Sequence, residues 1–202
     1  MIKVERLSKS FGNQLVLDDV NLQVRKGEIL VVMGESGSGK TVFLQHLIGL
    51  LTPDAGRIEI SGRNIVGLPE RELLQIRRNI GYLFQEGALY DFMNVFENVA
   101  FPLQEHTNLN KEEIAKKVRD TLHEVGLSEA EEKFPNQLSG GMKKRAALAR
   151  SIILGSEMLF CDEPTSGLDP TRSRDISDLI HSISRKYKST TVITSHDIEN
   201  SF

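Results

Sequence analysis

The sequence predicts an α/β fold built around a largely parallel sheet. Short apolar or alternating segments of strand length recur along the chain between longer segments with helical periodicity. Such alternation is typical of sheets whose strands are connected by helices. The 202 residues suffice for one well-buried domain and are few for two.

Seven segments have the character of strands, and in chain order they are 2–7, 16–24, 28–33, 58–60, 80–84, 158–161 and 190–194. The first two alternate in polarity around a Gly12-Asn13 turn, which indicates antiparallel strands at the N-terminus. Segment 28–33 is a compact, β-branched apolar run, for which we expect burial on both faces.

Helical periodicity follows the third strand, where apolar residues recur at Phe43, Leu44, Leu47, Ile48 and Leu51. We expect Pro53 and Gly56 to end this helix. Three further helices are predicted at 111–125, 142–154 and 173–185. Residues 86–154 lack a strong strand signal, so we predict a helical insertion into the α/β core between flanking parts 1–85 and 155–202.

Composition excludes several classes of function. A net charge of −3 argues against a general nucleic-acid-binding protein, which normally carries a basic excess. No apolar run approaches the roughly 20 residues that span a bilayer, and the charged first residues do not resemble a signal peptide. The single cysteine, Cys161, lies inside a predicted strand, where we expect a buried structural thiol in a reducing compartment.

A glycine-rich loop between the third strand and the first helix fits the phosphate-binding pattern G-x-x-x-x-G-K-[ST]. Its residues are Gly34, Glu35, Ser36, Gly37, Ser38, Gly39, Lys40 and Thr41. Glycines let backbone N–H groups converge on phosphate oxygens, and the helix that follows directs its positive end at the same anion. Lys40 is expected to neutralise the β- and γ-phosphates of ATP, and the Thr41 hydroxyl to bind Mg²⁺.

A second motif ends the strand at 158–161 with two carboxylates, Asp162 and Glu163. The strand places them at the carboxyl edge of the sheet, where ligands of open α/β folds bind. Asp162 is expected to hold Mg²⁺, and Glu163 is the natural candidate to polarise an attacking water.

Further motifs resemble those of the ABC ATPase family and occur in the family's order. Leu138-Ser139-Gly140-Gly141-Met142 looks like the signature motif, and 166–169 resembles the D-loop that ends at Asp169. Gln85 lies where the family has its Q-loop glutamine, and 194–197 looks like the loop of the switch histidine, His196. Phe11 takes the place of an aromatic residue that stacks on adenine, where tyrosine is commoner.

The resemblance implies a P-loop NTPase (RecA-like) core with an inserted ABC α-helical subdomain. It further implies a head-to-tail dimer in which Ser139, Gly140 and Gly141 of one copy face the γ-phosphate held by the other. By the same resemblance, His196 would contact that phosphate and Gln85 would sense Mg²⁺. Asp169 would organise the dimer interface. Relative to the family pattern, the C-terminal part is shortened, and contacts with a regulatory subunit that run through it are in doubt.

Residues 84–170 are similar to the ATPases of MCE-type phospholipid transporters, which serve the Mla system. This implies an ATPase on the cytoplasmic face of the inner membrane that drives a permease, with an MCE-type lipid-binding protein and a small regulatory subunit as further partners. An apolar stretch after Gln85, namely Leu89, Tyr90, Phe92, Met93 and Phe96, suits either a groove for a permease helix or the core of the helical insertion.

Other functions stay open at this point. They are the ATPase of a lipoprotein or small-solute ABC transporter, a non-transporting ATPase of the cell-division type, and a nucleotide-binding module without catalysis. The presence of both Glu163 and His196 argues against the last of these. Soluble translation-type relatives usually carry two ATPase domains, whereas this chain has one phosphate-binding loop.

Overall fold

The computed structural model describes residues 1–196, and Asp197 at the end of the predicted switch loop lies outside them. The strands are Ile2–Phe11 (β1), Gln14–Val24 (β2), Ile29–Met33 (β3), Ala55–Ile60 (β4), Arg63–Asn64 (β5), Ile80–Leu83 (β6), Met158–Asp162 (β7) and Thr190–Ser195 (β8). The helices are Lys40–Leu47 (α1), Glu70–Arg77 (α2), Val95–His106 (α3), Lys111–Glu124 (α4), Gly140–Ile152 (α5) and Pro170–Tyr187 (α6), with 3-10 turns at Ser128–Ala130 and Pro135–Gln137.

The described strands form two four-stranded sheets. One is antiparallel, with the order β2-β1-β4-β5, and the other is parallel, with the order β3-β8-β7-β6. Between β6 and β7 the described chain contains only helices, turns and loops. The predicted fold class, a parallel core with antiparallel N-terminal strands and inserted helices, is therefore confirmed.

Strand β7 lies between two apolar cores and belongs to both. Met158 and Phe160 pack with α1 and the antiparallel sheet, while Leu159 and Cys161 pack with α3–α6. This alternation follows from the period of two in a strand, because successive side chains point to opposite faces of the sheet. Cys161 is fully buried, as expected, and burial raises the pKa of its thiol.

The prediction that 28–33 is buried on both faces is wrong. Residues 29–32 are half-buried and Met33 is exposed. The residues of β3 are accessible because the strand lies at the edge of the parallel sheet, where within residues 1–196 it pairs only with β8. The strands with every residue buried are β7 and β8.

The first helix also ends earlier than predicted. Helix α1 stops after Leu47 because Gly49, at a φ of 67°, adopts a left-handed conformation. The N–H of Gly49 donates to the His46 oxygen at 3.0 Å and that of Leu50 to the Gln45 oxygen at 2.9 Å. These two bonds form a Schellman ending, which satisfies the last carbonyls of the helix. Pro53 and Gly56 lie beyond this ending, with Gly56 already in β4.

Candidate active site

The glycine-rich loop connects β3 to α1. Gly37 and Gly39 have positive φ angles of 81° and 92°, which side chains rarely allow. A Cβ atom on Gly39 would also lie 2.9 Å from the Val16 side chain. No side chain caps the start of α1, so its first N–H groups and its positive end face the loop. This is the arrangement that binds an anion.

The Lys40 ammonium lies inside this loop, with 6% of the residue exposed. It donates to the main-chain oxygens of Gly34 and Glu35, both at 2.8 Å. Its third neighbour is the Glu163 carboxylate, with 3.2 Å between Nζ and Oε1. All three donors of the ammonium group therefore converge on acceptors within the loop and at the end of β7.

Glu163 follows β7 directly and has a φ of 42°, in the left-handed region that residues with a Cβ rarely occupy. Its backbone N–H donates to the Thr194 hydroxyl at 3.0 Å. Its second carboxylate oxygen, Oε2, lies 2.9 Å from His196 Nδ1. The three predicted catalytic residues, Lys40, Glu163 and His196, thus form one contiguous cluster.

Asp162 accepts hydrogen bonds from two threonines at the same oxygen. Thr41 Oγ1 donates to Oδ1 at 3.0 Å, and Thr194 Oγ1 donates to it at 2.8 Å. Tyr82 also hydrogen-bonds this carboxylate, and burial together with the negative charge of Asp162 raises the pKa of the phenol. The phenol therefore stays protonated and remains a donor.

The donor chemistry of Thr41 and Asp162 fits the predicted Mg²⁺ site. A hydroxyl and a carboxylate in direct contact present the hard oxygen ligands that Mg²⁺ prefers, and that ion usually keeps several waters besides one or two carboxylates. Within residues 1–196 no group of three His, Cys, Asp or Glu side chains is arranged to hold a metal. Gln85, the third predicted ligand, instead donates from Nε2 to the Ser166 hydroxyl at 3.3 Å.

The signature residues lie at the start of α5. Ser139 caps this helix, because its hydroxyl accepts the Met142 N–H at 3.3 Å, and Gly140 and Gly141 form the first turn. Within residues 1–196, the hydrogen bonds and ion pairs of Lys40 and Glu163 described above do not involve these three. Within one copy of the chain, the signature is therefore not bonded to the lysine of the glycine-rich loop.

The two remaining predicted residues lie at exposed positions. Asp169 caps α6 by accepting the Arg172 N–H at 3.1 Å, and its carboxylate also pairs with the Arg172 side chain at 3.3 Å. Phe11 is exposed, and the Lys9 ammonium lies 5.5 Å from the centre of its ring. The ring is therefore accessible for stacking.

Three residues in contact with the site carry no predicted role, namely Thr194, Tyr82 and Lys144. Thr194 connects Asp162 to Glu163, Tyr82 bonds Asp162, and Lys144 donates to the main-chain oxygen of Gln85. The first two come from the strands on either side of β7. The strand order that makes them neighbours is not visible in a single sequence.

A parallel sheet with a phosphate-binding loop, two carboxylates at the end of a neighbouring strand, and a signature helix define an ATP-binding cassette. The chain belongs to the ABC transporter family, whose profile matches residues 17–166. No described helix is both long and apolar enough to cross a membrane.

Among curated proteins, the chain is 47% identical over 197 residues to a "Probable ribonucleotide transport ATP-binding protein mkl" of Mycobacterium leprae, covering 98% of this chain and 57% of that protein. It is 42% identical to the "Intermembrane phospholipid transport system ATP-binding protein MlaF" of Haemophilus influenzae, covering 98% of this chain and 75% of the relative. The chain thus spans little more than half the length of the mycobacterial relative.

Among solved structures, a dimeric ATP-binding cassette in a post-hydrolysis state, bound to ADP and phosphate, superimposes with a TM-score of 0.90 at 32% identity. The match covers all of this chain and 90% of the solved one. Both the family and the fold predicted from the motifs are therefore confirmed.

Proposed function

We propose that the chain binds Mg²⁺-ATP and hydrolyses it to drive a membrane permease. The observation that carries this proposal is the cluster of Lys40, Glu163 and His196 beside the Asp162–Thr41 pair. A nucleotide-binding module without catalysis would not need a carboxylate between a loop lysine and a histidine. Membership of the ABC transporter family and the solved relative bound to ADP and phosphate support the same conclusion.

The contacts suggest how each residue acts. The Lys40 ammonium has three acceptors, and only the Glu163 carboxylate is a side chain. A bound γ-phosphate would therefore replace Glu163 as the third acceptor. Released from Lys40, the Glu163 carboxylate could accept a hydrogen bond from the attacking water. His196, already 2.9 Å from that carboxylate, would hold it in place. Thr41 and Asp162 would hold Mg²⁺, which neutralises phosphate charge when bound.

A second copy of the chain would complete each site. Ser139, Gly140 and Gly141 present the positive end of α5. The nearest side chains to Gly140 and Gly141 are Leu168 and Arg172 rather than residues of the phosphate-binding loop. A head-to-tail dimer would bring this helix end to the γ-phosphate held by the partner, where its N–H groups meet an anion. The dimeric solved relative supports this arrangement.

The permease would dock on a groove of about 560 Å³ between α2, α3 and α5. Its walls combine apolar and aromatic side chains, including Phe84, Tyr90 and Phe101, with basic ones. The basic residues are Arg77, Arg78, His106 and Arg150. Of the apolar stretch after Gln85, Tyr90 lines this groove. Tyr90 and Phe92 are exposed, Phe92 at 75%, whereas Leu89 and Phe96 pack on the helical core.

For the cargo, we propose lipid transport of the MCE/Mla type, with the chain peripheral on the cytoplasmic face of the membrane. The similarity to the intermembrane phospholipid transport ATPase supports this choice. An MCE-type lipid-binding protein and a small regulatory subunit are then expected partners. Small-solute transport is the second candidate, because the mycobacterial relative is named for ribonucleotide transport.

The decisive experiment co-purifies the tagged chain with its permease and measures ATP-dependent transfer of fluorescent phospholipid between vesicles. Transfer that stops in the Glu163→Gln variant would support lipid transport. Hydrolysis without transfer, together with ribonucleotide uptake into the vesicles, would favour the second candidate. A co-purified cell-division permease would exclude both.

A further inference from the structure

Lys144 is a buried cation on the signature helix that the proposed catalytic steps do not use. It lies on α5, five residues after Ser139, and only 7% of it is exposed. Within residues 1–196 its ammonium has one hydrogen-bond acceptor, the main-chain oxygen of Gln85. Its neighbour Lys143 is exposed on the same helix and makes no such contact. Burial of an ammonium is unfavourable unless it is compensated, so this contact needs an explanation.

The acceptor of Lys144 belongs to a path of hydrogen bonds that ends at the hydrolytic centre. The Gln85 side chain donates to the Ser166 hydroxyl at 3.3 Å. The Ser166 N–H in turn donates to the main-chain oxygen of Glu163 at 3.1 Å. Lys144, Gln85, Ser166 and Glu163 therefore connect α5 to the strained residue beside Lys40.

A second side chain of α5, Arg150, holds the segment after Gln85 by hydrogen bonds. Arg150 donates to the Gly87 oxygen at 2.8 Å and to the Ala88 oxygen at 2.7 Å. A Cβ atom on Gly87 would lie 3.2 Å from Ala147, so the segment touches the α5 surface directly. With three of its carbonyls bound by α5 side chains, segment 85–88 is expected to move together with the helix.

The charge of Lys144 also faces the carboxylates of the site. Burial lowers its pKa, while Glu86, Glu163 and Asp162 favour the charged form. These three carboxylates lie on β7, at its end and in the segment after β6. Carboxylates of the proposed hydrolytic centre therefore favour the charged form of the Lys144 ammonium.

We propose that Lys144 is a positioning residue that couples the two ATP sites of the dimer, an inference that rests on the proposed function. The start of α5 would face the phosphate in the partner's site. Lys144, on the same helix, fixes Gln85 and through it the Ser166–Glu163 connection of its own site. Closure of one site is thereby transmitted to the carboxylate of the other.

The test compares Lys144→Met with Lys143→Met as the matched control, using ATPase rates of the full chain over a range of ATP concentrations. A coupled two-site dimer gives a Hill coefficient between about 1 and 2. We expect Lys144→Met to bring this coefficient to about 1 and to lower kcat about tenfold, with nucleotide affinity of the single chain changed less than about twofold. Lys143→Met is expected to behave like the wild type.

Lys144→Arg keeps a cationic donor and should restore at least part of the cooperativity. A residue that only stabilised the fold would change the free energy of unfolding without changing the Hill coefficient. If Lys144→Met does not fold, Lys144→Gln, a neutral donor of similar length, takes its place in the comparison. Unchanged cooperativity and kcat in the folded variant would overturn the inference, as would a Hill coefficient of 1 in the wild type. A wild-type chain that binds but never hydrolyses ATP would instead overturn the proposed function.

Discussion

At the scale of single residues, Glu163 combines backbone strain with two side-chain neighbours of its carboxylate, Lys40 and His196. A left-handed conformation costs a residue with a Cβ about 1–2 kcal/mol. At a φ of 42°, this backbone turns the carboxylate away from the β7 direction and toward Lys40 and His196. Strain at such a position is held by its surroundings, here by the bond from the Glu163 N–H to Thr194.

Glu163→Gln keeps the shape of the side chain and removes its capacity as a base. We expect kcat to fall by about 10²–10⁴-fold, the range for loss of general base catalysis. ATP binding should persist because Lys40 and the loop are unchanged, so the variant is expected to accumulate as an ATP-bound dimer in size-exclusion chromatography. Glu132→Gln, at an exposed carboxylate, is the control. Unchanged hydrolysis in Glu163→Gln would exclude the role assigned to this residue.

Thr194 offers a second test, because one buried hydroxyl serves both carboxylate residues. Thr194→Val removes the donor to Asp162 and the acceptor for the Glu163 N–H, which leaves that buried N–H unsatisfied. We expect a loss of about 1–3 kcal/mol in the free energy of unfolding, measured with urea, and a lower kcat. Thr194→Ser retains the hydroxyl and should stay within about 1 kcal/mol of the wild type. Equal stability of the two variants would contradict this account.

The sequence predicted the charged residues of the site better than their supports. Lys40 and Glu163 stand in motifs whose chemistry is visible from spacing, and the structure places them 3.2 Å apart. Thr194 and Tyr82 are ordinary strand residues, and only the order β8-β7-β6 makes them neighbours of Asp162. The catalytic and ligand roles of all the predicted residues remain predictions until the variants are measured.

At the scale of elements, the loop between β6 and α3 is organised by one buried side chain. Asn98 is fully buried in α3. Its Oδ1 accepts the Tyr90 N–H at 2.8 Å, and its Nδ2 donates to the main-chain oxygens of Tyr90, Met93 and Asn94 at 3.0–3.1 Å. A helix residue thus supplies the partners that a loop cannot provide for itself. It holds Tyr90 in the wall of the groove.

Asn98→Ala should therefore affect the groove as well as stability. We expect a loss of about 2 kcal/mol in the free energy of unfolding, because the Tyr90 N–H and the Met93 oxygen lose their hydrogen-bond partner. The measurement is urea unfolding, with permease capture as the functional readout. Gln104→Ala, at an exposed position of the same helix, is the control and should change neither. A free energy of unfolding equal to that of the wild type in Asn98→Ala would contradict this role of the amide.

Elements with strong periodicity could be predicted, and those decided by tertiary context could not. Helix α4 ends as predicted before Gly126, whose φ is 71°. Helix α2 and strand β5 were not predicted, since both are short and highly polar. The bounds of α3 were not predicted either, and this 12-residue helix contains Pro102, a residue that normally interrupts a helical pattern. The exposure of β3 depends on which strand pairs with it, and an apolar run alone does not contain that information.

At the scale of the whole molecule, the residues of the proposed site lie in two separate parts of the chain, the phosphate-binding loop and the signature. The phosphate-binding loop follows β3, and the signature begins α5. Each copy would then contribute one half of two different sites. The division into a core of 1–85 and 155–202 and a helical part of 86–154 stays a prediction.

This division can be tested by mixing two inactive variants. Lys40→Ala removes the ammonium of the loop, and Gly140→Asp places a carboxylate where the partner's phosphate would lie. Alone, each variant should be inactive. Independent sites would give about a quarter of wild-type activity in an equal mixture, because half of the dimers are mixed and each mixed dimer contains one intact site. The coupling proposed for Lys144 predicts measurable recovery below that value. No recovery between two folded variants would contradict the shared site, and circular dichroism checks the fold of each.

The fold as a whole was the most predictable level. Alternating strands and helices predict the α/β class, and the order of the motifs indicates the family. What the pattern could not supply is the adjacency of strands distant in the chain. In the parallel sheet β3 pairs with β8, about 160 residues later, by the register Ile29↔Thr191.

That pairing has a consequence for synthesis on the ribosome. Strand β8 lies between β3 and β7, and its Ser195 accepts the N–H of Gly34 at the start of the loop. Until residues 190–195 leave the exit tunnel, the two motif strands have no common neighbour to align them. Nascent chains therefore expose two unpaired parallel edges while the segments before residue 190 are already made, and unpaired strand edges are prone to aggregate. Nucleotide binding should appear abruptly with the emergence of β8.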